Sequence, residues 1–351
     1  DEVQVVRNWR AGRSRTRRPL QERAARVDRF RVMAPPPEGP ARAAARVAAA
    51  LGVLAVAVLA AALPETADAK RVELGVYEDA PLVSVPRLAK TVGPRGTKVI
   101  SVYVTAGATL DPRIVRLARQ RRARLMVSWM PDSGRDGAKG ARFRLRAVSG
   151  GRYAASLRRH VRQIGGLRPA AILRPMPEPN TPWYAWSGTT KGNSAKAYVK
   201  AWNRVRTVSK RANRKVQLLW APYARSVPER PGNAIEDYFP GAAKVDLVGA
   251  SAYNFGKKGG LAWTDPEPLF EDAYRTMSAL SAKPFWIAET GSTSKGGDKA
   301  AWIRALSRLD DDMPRLQGMV WYDVRDRTGD FRIRQSAKTT RAFRALARVS
   351  R

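Results

Sequence analysis

Along residues 72–349, β-rich apolar runs of strand length alternate with stretches whose apolar residues recur at helical spacing. The apolar runs are VELGVY (72–77), KVISVYVT (98–105), RLMVSWM (124–130) and AAILRPM (170–176). They continue with KVQLLWAP (215–222), KVDLVGASAY (244–253), KPFWIAE (283–289) and GMVWYD (318–323). Helical patterns cover 111–122, 151–165, 194–213, 266–281, 298–309 and 335–349, with weaker pieces near 84–92 and 231–239. Apolar strands alternating with amphipathic helices indicate a parallel sheet buried on both faces. Eight such units in about 280 residues predict an α/β fold, a (β/α)8 TIM barrel forming a single domain over 70–351. An open doubly wound sheet is the alternative, but no GxGxxG or GxxxxGK[ST] follows the first strand.

The first 69 residues follow a different pattern. After Met33 come Arg42 and Arg46, the apolar run VAAALGVLAVAVLAAAL (47–63), and an Ala-x-Ala site at Ala67-Asp68-Ala69. This order predicts a secretory signal peptide starting at Met33 and cleaved after Ala69, so that the mature chain begins at Lys70. The competing reading is an uncleaved anchor, because the run approaches the ~17-residue lower limit for spanning. Residues 1–32 are Arg-rich without hydrophobic periodicity and read as an overextended frame or an unstructured leader. The expectation is a secreted, extracellular protein with no stable membrane insertion after cleavage.

Composition narrows the chemistry. Cysteine is absent, which removes disulfides, thiolate metal sites and cysteine nucleophiles. The single histidine, His160, lies in a basic amphipathic pattern and reads as a helix-surface residue. A Ser-His-Asp triad or a multi-histidine metal centre therefore has no material, and neither cofactor nor metal is expected. The formal charge of +35 implies affinity for polyanions. An anionic cell-envelope polymer is the candidate partner; no nucleic acid is expected, since no recognition module is present.

Barrel enzymes build their sites at the C-terminal ends of the strands. Those ends carry Glu78 and Asp79, Trp129, Glu178, Trp220, Tyr253 and Asn254, Glu289, and Trp321-Tyr322-Asp323. Ionised carboxylates are rarely buried unpaired, so Glu178 and Glu289, each ending an apolar run, have no packing role. On strands four and seven they would face each other across the barrel mouth, as the two carboxyl groups of a glycosidase must. Trp183, Trp186, Trp220 and Trp321 could stack on sugar rings, with Asn180 and Asn254 as hydroxyl partners. Plainer readings exist: Trp129 and Trp286 as core plugs, Glu178 paired with Arg174, Glu289 capping the helix near 298. Asp310-Asp311-Asp312 reads as a solvated helix end. Asp323, Asp326 and Asp330 suggest a calcium loop that their interleaved arginines argue against.

Several motifs resemble glycoside hydrolase family 26, whose best-known members are β-mannanases. Arg174-Pro175-Met176-Pro177-Glu178-Pro179-Asn180, followed by Trp183 and Trp186, is similar to the family's acid/base segment, Arg-Pro-x-His-Glu-x-Asn. ASAYN, IAETGS and VWYD resemble its strand-six, strand-seven and strand-eight segments. The resemblance implies a retaining (β/α)8 glycosidase cleaving β-mannan or another β-glycan. It makes Glu178 the acid/base, Glu289 the nucleophile and Tyr253 its orienting partner. It places Trp183 as a stacking residue and Trp321 as the floor of the −1 sugar site, with Arg174 among the substrate-binding residues. Pro177 stands where the family usually has histidine, and proline offers no hydrogen bond to a hydroxyl. That departure bears on mannose specificity more than on hydrolysis. A non-catalytic carbohydrate- or envelope-binding barrel is the alternative function.

Overall fold

The computed structural model describes residues 72–131, 145–257 and 261–350; the leader expected over 1–69 lies outside them. Eight parallel strands close in sequence order. They are β1 Glu73–Tyr77, β2 Val99–Thr105, β3 Arg124–Met130, β4 Ile172–Pro175, β5 Gln217–Trp220, β6 Leu247–Asn254, β7 Phe285–Ser292 and β8 Leu316–Tyr322. The helices are α1 Pro81–Val92, α2 Pro112–Gln120, α3 Leu145–Ser149, α4 Ala154–Ile164, α5 Ala195–Ala212, α6 Pro266–Leu280, α7 Lys299–Ala305, α8 Leu309–Asp312 and α9 Ala337–Val349. The expected (β/α)8 barrel is therefore the fold. The piece anticipated over 231–239 is reduced to a single 3-10 turn at Glu236–Tyr238.

Helix starts follow local chemistry. The side chains of Asp111, Ser194 and Asp298 accept backbone N–H groups at the starts of α2, α5 and α7, and Ser336 and Thr339 form a capping box on α9. Asp298, rather than Glu289, caps α7. His160 departs from its reading. It lies on the inner face of α4, fully buried, with Nε2 2.9 Å from the carbonyl of Ala108, and burial lowers its pKa. The amphipathic pattern located the helix, but the ring falls on the packed side of it.

Side chains inside the barrel form three layers. At the N-terminal end of the strands Arg124 pairs with Glu73 at 2.7 Å and donates to Gln217 Oε1 at 3.0 Å. Above it Val99, Met126, Ile172, Leu219, Leu247, Trp286 and Val320, one from each of seven strands, pack as a cluster without helix members. Trp286 is thus the interior plug, whereas Trp129 faces outward into the larger barrel–helix core. Room for the Trp286 indole comes from Gly318, where an added Cβ would lie 2.4 Å from the ring. Gly318→Ala should destabilise the fold by about 1–3 kcal/mol through overpacking. Urea denaturation would check this, and an unchanged midpoint would contradict the close packing. The third layer, at the C-terminal ends, is polar.

Candidate active site

Strand alternation places Ser101 and Tyr103 above Val99, Ser128 above Met126, and Arg174 above Ile172. On β6 the same phase turns Ser251 and Tyr253 inward. On β7 the register slips: Ala250 pairs with Ile287 but Ser251 pairs with Glu289, so Ala288 is an extra residue. Such a bulge re-aims the side chain that follows it. Glu289 thereby enters the polar layer directly after the inward-facing Ala288.

Glu178 reaches the same place by a different device. After β4 the backbone adopts left-handed conformations at Met176 (φ 49°) and Glu178 (φ 54°). Both are sparsely populated by non-glycine residues and cost of order 1–3 kcal/mol each. The loop is held against that cost from several sides. Met176 N–H donates to Trp129 O (2.9 Å), Glu178 N–H to Ala221 O (2.9 Å), Trp186 Nε1 to Pro177 O (2.7 Å) and Thr181 Oγ1 to Glu178 O (2.7 Å).

The two carboxylates meet at one guanidinium. Arg174 Nη2 lies 3.3 Å from Glu178 Oε1, and Nη1 lies 3.2 Å from Glu289 Oε2. Tyr103 Oη donates to Glu289 Oε2 at 2.6 Å, and Tyr253 Oη donates to Glu289 Oε1. Trp183 Nε1 donates to Glu178 Oε2 at 2.8 Å. Ser128 and Ser251 hydroxyls accept from Arg174 as well. All three charged groups are buried, Arg174 completely.

This arrangement separates the two carboxyl groups electrostatically. One cation can balance only one buried carboxylate, so the second is held as the neutral acid. Burial pushes the Glu178 carboxyl up to about 7; the Arg174 guanidinium opposes the shift, the Glu289 charge adds to it, and the Trp183 hydrogen bond opposes it. Burial, and next the Glu289 charge, push the hydroxyls of Tyr103 and Tyr253 well above the usual phenol range, so both remain protonated donors. Arg174 stays cationic although burial works against it, because the Glu289 carboxylate and the oxygen atoms turned toward the guanidinium outweigh that effect. A paired proton donor and charged carboxylate is the division of labour that acid–base and nucleophilic chemistry require.

Not every expected site residue faces this cleft. Glu178, Glu289, Tyr253 and Trp183 come together as expected. Trp220 and Trp321 do not: each follows an inward residue (Leu219, Val320), so each points outward into the helix layer. There Trp220 packs on Phe239, and Trp321 lies between Trp302 and Phe343 with Nε1 donating to Phe331 O. Trp186 is fully buried beneath Tyr184. Asn180 spends its amide on Tyr223 N–H, Tyr223 O and Ser226, and Asn254 on Ser292, Gly256 and Thr264. Both asparagines are buried and pin loops, so neither faces sugar hydroxyls. Arg174 lies under the carboxylates, too deep for substrate, and acts by bridging them.

Apart from Trp183, the aromatic walls of the cleft come from residues not anticipated as sugar platforms from sequence. Tyr77 and Tyr322 stack at 5.3 Å on one side, with their hydroxyls donating to Asp79 and Asp326. Trp183 and Tyr223 meet edge to face at 5.3 Å beside Glu178. Tyr103, Tyr77 and Tyr322 were detectable in sequence as aromatic residues in phase with the barrel interior. Of the remaining rim acids, Glu78 is buried; burial first, then Asp323 beside it, push its carboxyl up to about 8, and Arg334 partly offsets this. Asp326 accepts from the Thr328 and Gly329 N–H groups, and Asp330 pairs with Arg332 at 2.7 Å. Lys299 puts its ammonium on the carbonyls of Asp330 and Arg332. Among the described residues no group of three or more acids or histidines is placed to hold a metal, and no helix is long and apolar enough to cross a membrane.

No protein-family model matches the chain. Among curated proteins it is 25% identical over 225 residues to Endoglucanase H of Acetivibrio thermocellus, a match covering 63% of this chain and 24% of that protein. It is 30% identical over 141 residues to a mannan endo-1,4-beta-mannosidase of Bacillus subtilis, covering 38% of this chain and 35% of that enzyme. The chain thus spans about a quarter to a third of these relatives' length. Among solved structures, the Cellulomonas fimi endo-beta-1,4-mannanase shares the fold with a TM-score of 0.57 at 16% identity, covering 79% of this chain and 70% of that one. The family 26 domain of a Prevotella bryantii endo-beta-mannanase/endo-beta-glucanase gives 0.55 at 13%, covering 79% and 89%. The resemblance to family 26 glycoside hydrolases is borne out in sequence by the first pair and in fold by the second.

Proposed function

We propose that this relative of the family 26 glycoside hydrolases is a secreted glycosidase that cleaves β-linked polysaccharide by double displacement. The observation that carries this reading is the guanidinium of Arg174 bridging the buried carboxyl groups of Glu178 and Glu289, at 3.3 and 3.2 Å. Glu289 attacks the anomeric carbon while Glu178 gives its proton to the departing glycosidic oxygen, leaving a glycosyl ester on Glu289. Glu178, now a carboxylate, removes a proton from water as that water attacks the anomeric carbon and frees Glu289. Tyr103 and Tyr253 hold the nucleophile by both oxygens, and Trp183 orients the acid. Tyr322 stacked on Tyr77 supplies the sugar platform that Trp321 does not.

The substrate class follows the names of the relatives, β-mannan and β-glucan, with Pro177 setting this chain apart from the mannanase pattern. Secretion rests on the leader over 33–69. Hydrolysis of β-mannan and mixed-linkage β-glucan, followed by proton NMR from the first minutes, should show the β-anomer of the new reducing end appearing first. An α-anomer appearing first would rule out double displacement. A chain that releases no reducing ends but still binds these glycans would be a binding barrel instead.

A further inference from the structure

The face opposite the catalytic rim carries a second concavity, unrelated to the carboxylates. Its walls are the turn leading into β4 (Gly165, Gly166, Arg168) and the last turns of α5 with the segment leading into β5 (Arg206–Lys215). It is an open depression of about 850 Å³ lined by Arg168, Arg206, Lys210, Arg211, Arg214 and Lys215, with no acidic residue among its lining. Gly165 makes the shape possible: a Cβ there would fall 2.2 Å from the amide of Asn213, which lies across the floor.

The cations are unevenly satisfied. Lys210 pairs with Asp246 at 2.6 Å, and Arg206 donates to the carbonyl of Ala243. Arg211, Arg214 and Lys215 are exposed and have no carboxylate within 4.0 Å among the described residues. Basic residues at a helix C-terminus complement its dipole, which accounts for Lys210 and Arg211. It does not account for Arg168, Arg214 and Lys215, which lie outside the helix. Lys210 apart, the remaining five, Arg168, Arg206, Arg211, Arg214 and Lys215, have no carboxylate partner among the described residues, so around one concavity they repel one another and concentrate anions.

We propose that this cleft binds an anionic glycopolymer, a flexible chain of sugar or polyol units bearing repeated phosphate or carboxylate groups. Arginine forks match either anion in a bidentate way. Nucleic acid is the less suitable polyanion. The lining has no aromatic ring on which a base could stack, and a concavity presents no element to enter a duplex groove. With the anchor on one face and the cleft on the other, a wall-bound chain would keep the catalytic mouth free.

The test compares the wild-type chain with Arg211→Glu/Arg214→Glu/Lys215→Glu. The control is Arg87→Glu/Lys90→Glu/Arg341→Glu, which makes the same charge change at exposed positions of α1 and α9. Binding to poly(glycerol phosphate), polygalacturonate and a DNA duplex is measured by titration at several salt concentrations. The cleft variant should lose roughly tenfold or more in affinity for one or both glycopolymers and show a shallower salt dependence. The control should stay within about twofold to threefold of wild type, and near-UV circular dichroism should show both variants folded. Loss with the phosphate polymer, the uronate polymer or both identifies the anion. Equal loss in both variants would mean delocalised charge, and no glycopolymer binding, or tighter cleft-dependent binding of DNA, would equally overturn the proposal.

Discussion

Glu289→Ala should abolish turnover, lowering kcat by roughly 10⁴-fold or more, the scale expected when a covalent nucleophile is lost. Among the described residues no other carboxylate can take its place. Glu178 is held on the opposite side of Arg174, and the Tyr103 and Tyr253 hydroxyls are aimed at the Glu289 oxygens. Affinity for glycan should change little, because the aromatic walls are untouched. Removing one partner of a buried ion pair is costly, so near-UV circular dichroism must show the variant folded. Azide, small enough for the vacated space, should restore cleavage of an aryl glycoside and give a product of opposite anomeric configuration. An activated 2-fluoro glycoside should label Glu289 in the wild type, as read by peptide mass. Label on another residue, or wild-type kcat in the variant, would remove Glu289 from the mechanism.

The barrel was legible because a parallel sheet buried on both faces needs continuous apolar strands, and eight such runs recur at βα spacing. The two glutamates were legible because an acid terminating a buried run has no packing use. Which residues of each strand face inward depends on its phase. Trp220 and Trp321 stand one residue beyond an inward-facing aliphatic, so alternation sends them to the helix layer. The same alternation, counted from Val99, leads to Tyr103. Glu289 shows why phase alone is insufficient: without the bulge at Ala288 it would face outward, and a bulge leaves no clear mark in a run such as WIAET. Asn180 and Asn254 misled for another reason. Amides at strand ends satisfy backbone groups as readily as sugar hydroxyls, and only the loop geometry decides between them. His160 misled similarly, since a helical pattern with basic residues on most faces does not reveal which one packs.

Glu178→Gln should give the second large loss, about 10²–10⁴-fold in kcat for substrates with a poor leaving group, the usual contribution of general acid–base catalysis. Glutamine keeps the shape and can still accept from Trp183, so the loss isolates the proton. Aryl glycosides with acidic phenols need little protonation, and their glycosylation step should be nearly spared. For the wild type the sign of the pH effect follows from burial. With the Glu178 carboxyl held at about 7, kcat/KM should fall tenfold per pH unit above that value, because the acid has already lost its proton. The variant should lose that alkaline limb. The same proton ties stability to pH: below about 4.5 both native and unfolded carboxyls are protonated, but between there and about 7 only the native one is. Unfolding free energy from this group is therefore highest in acid and declines as pH rises to neutrality, and Glu178→Gln should flatten that slope. An alkaline limb that survives in the variant would assign the proton to another group, with Arg174 then pairing Glu178 for structure alone.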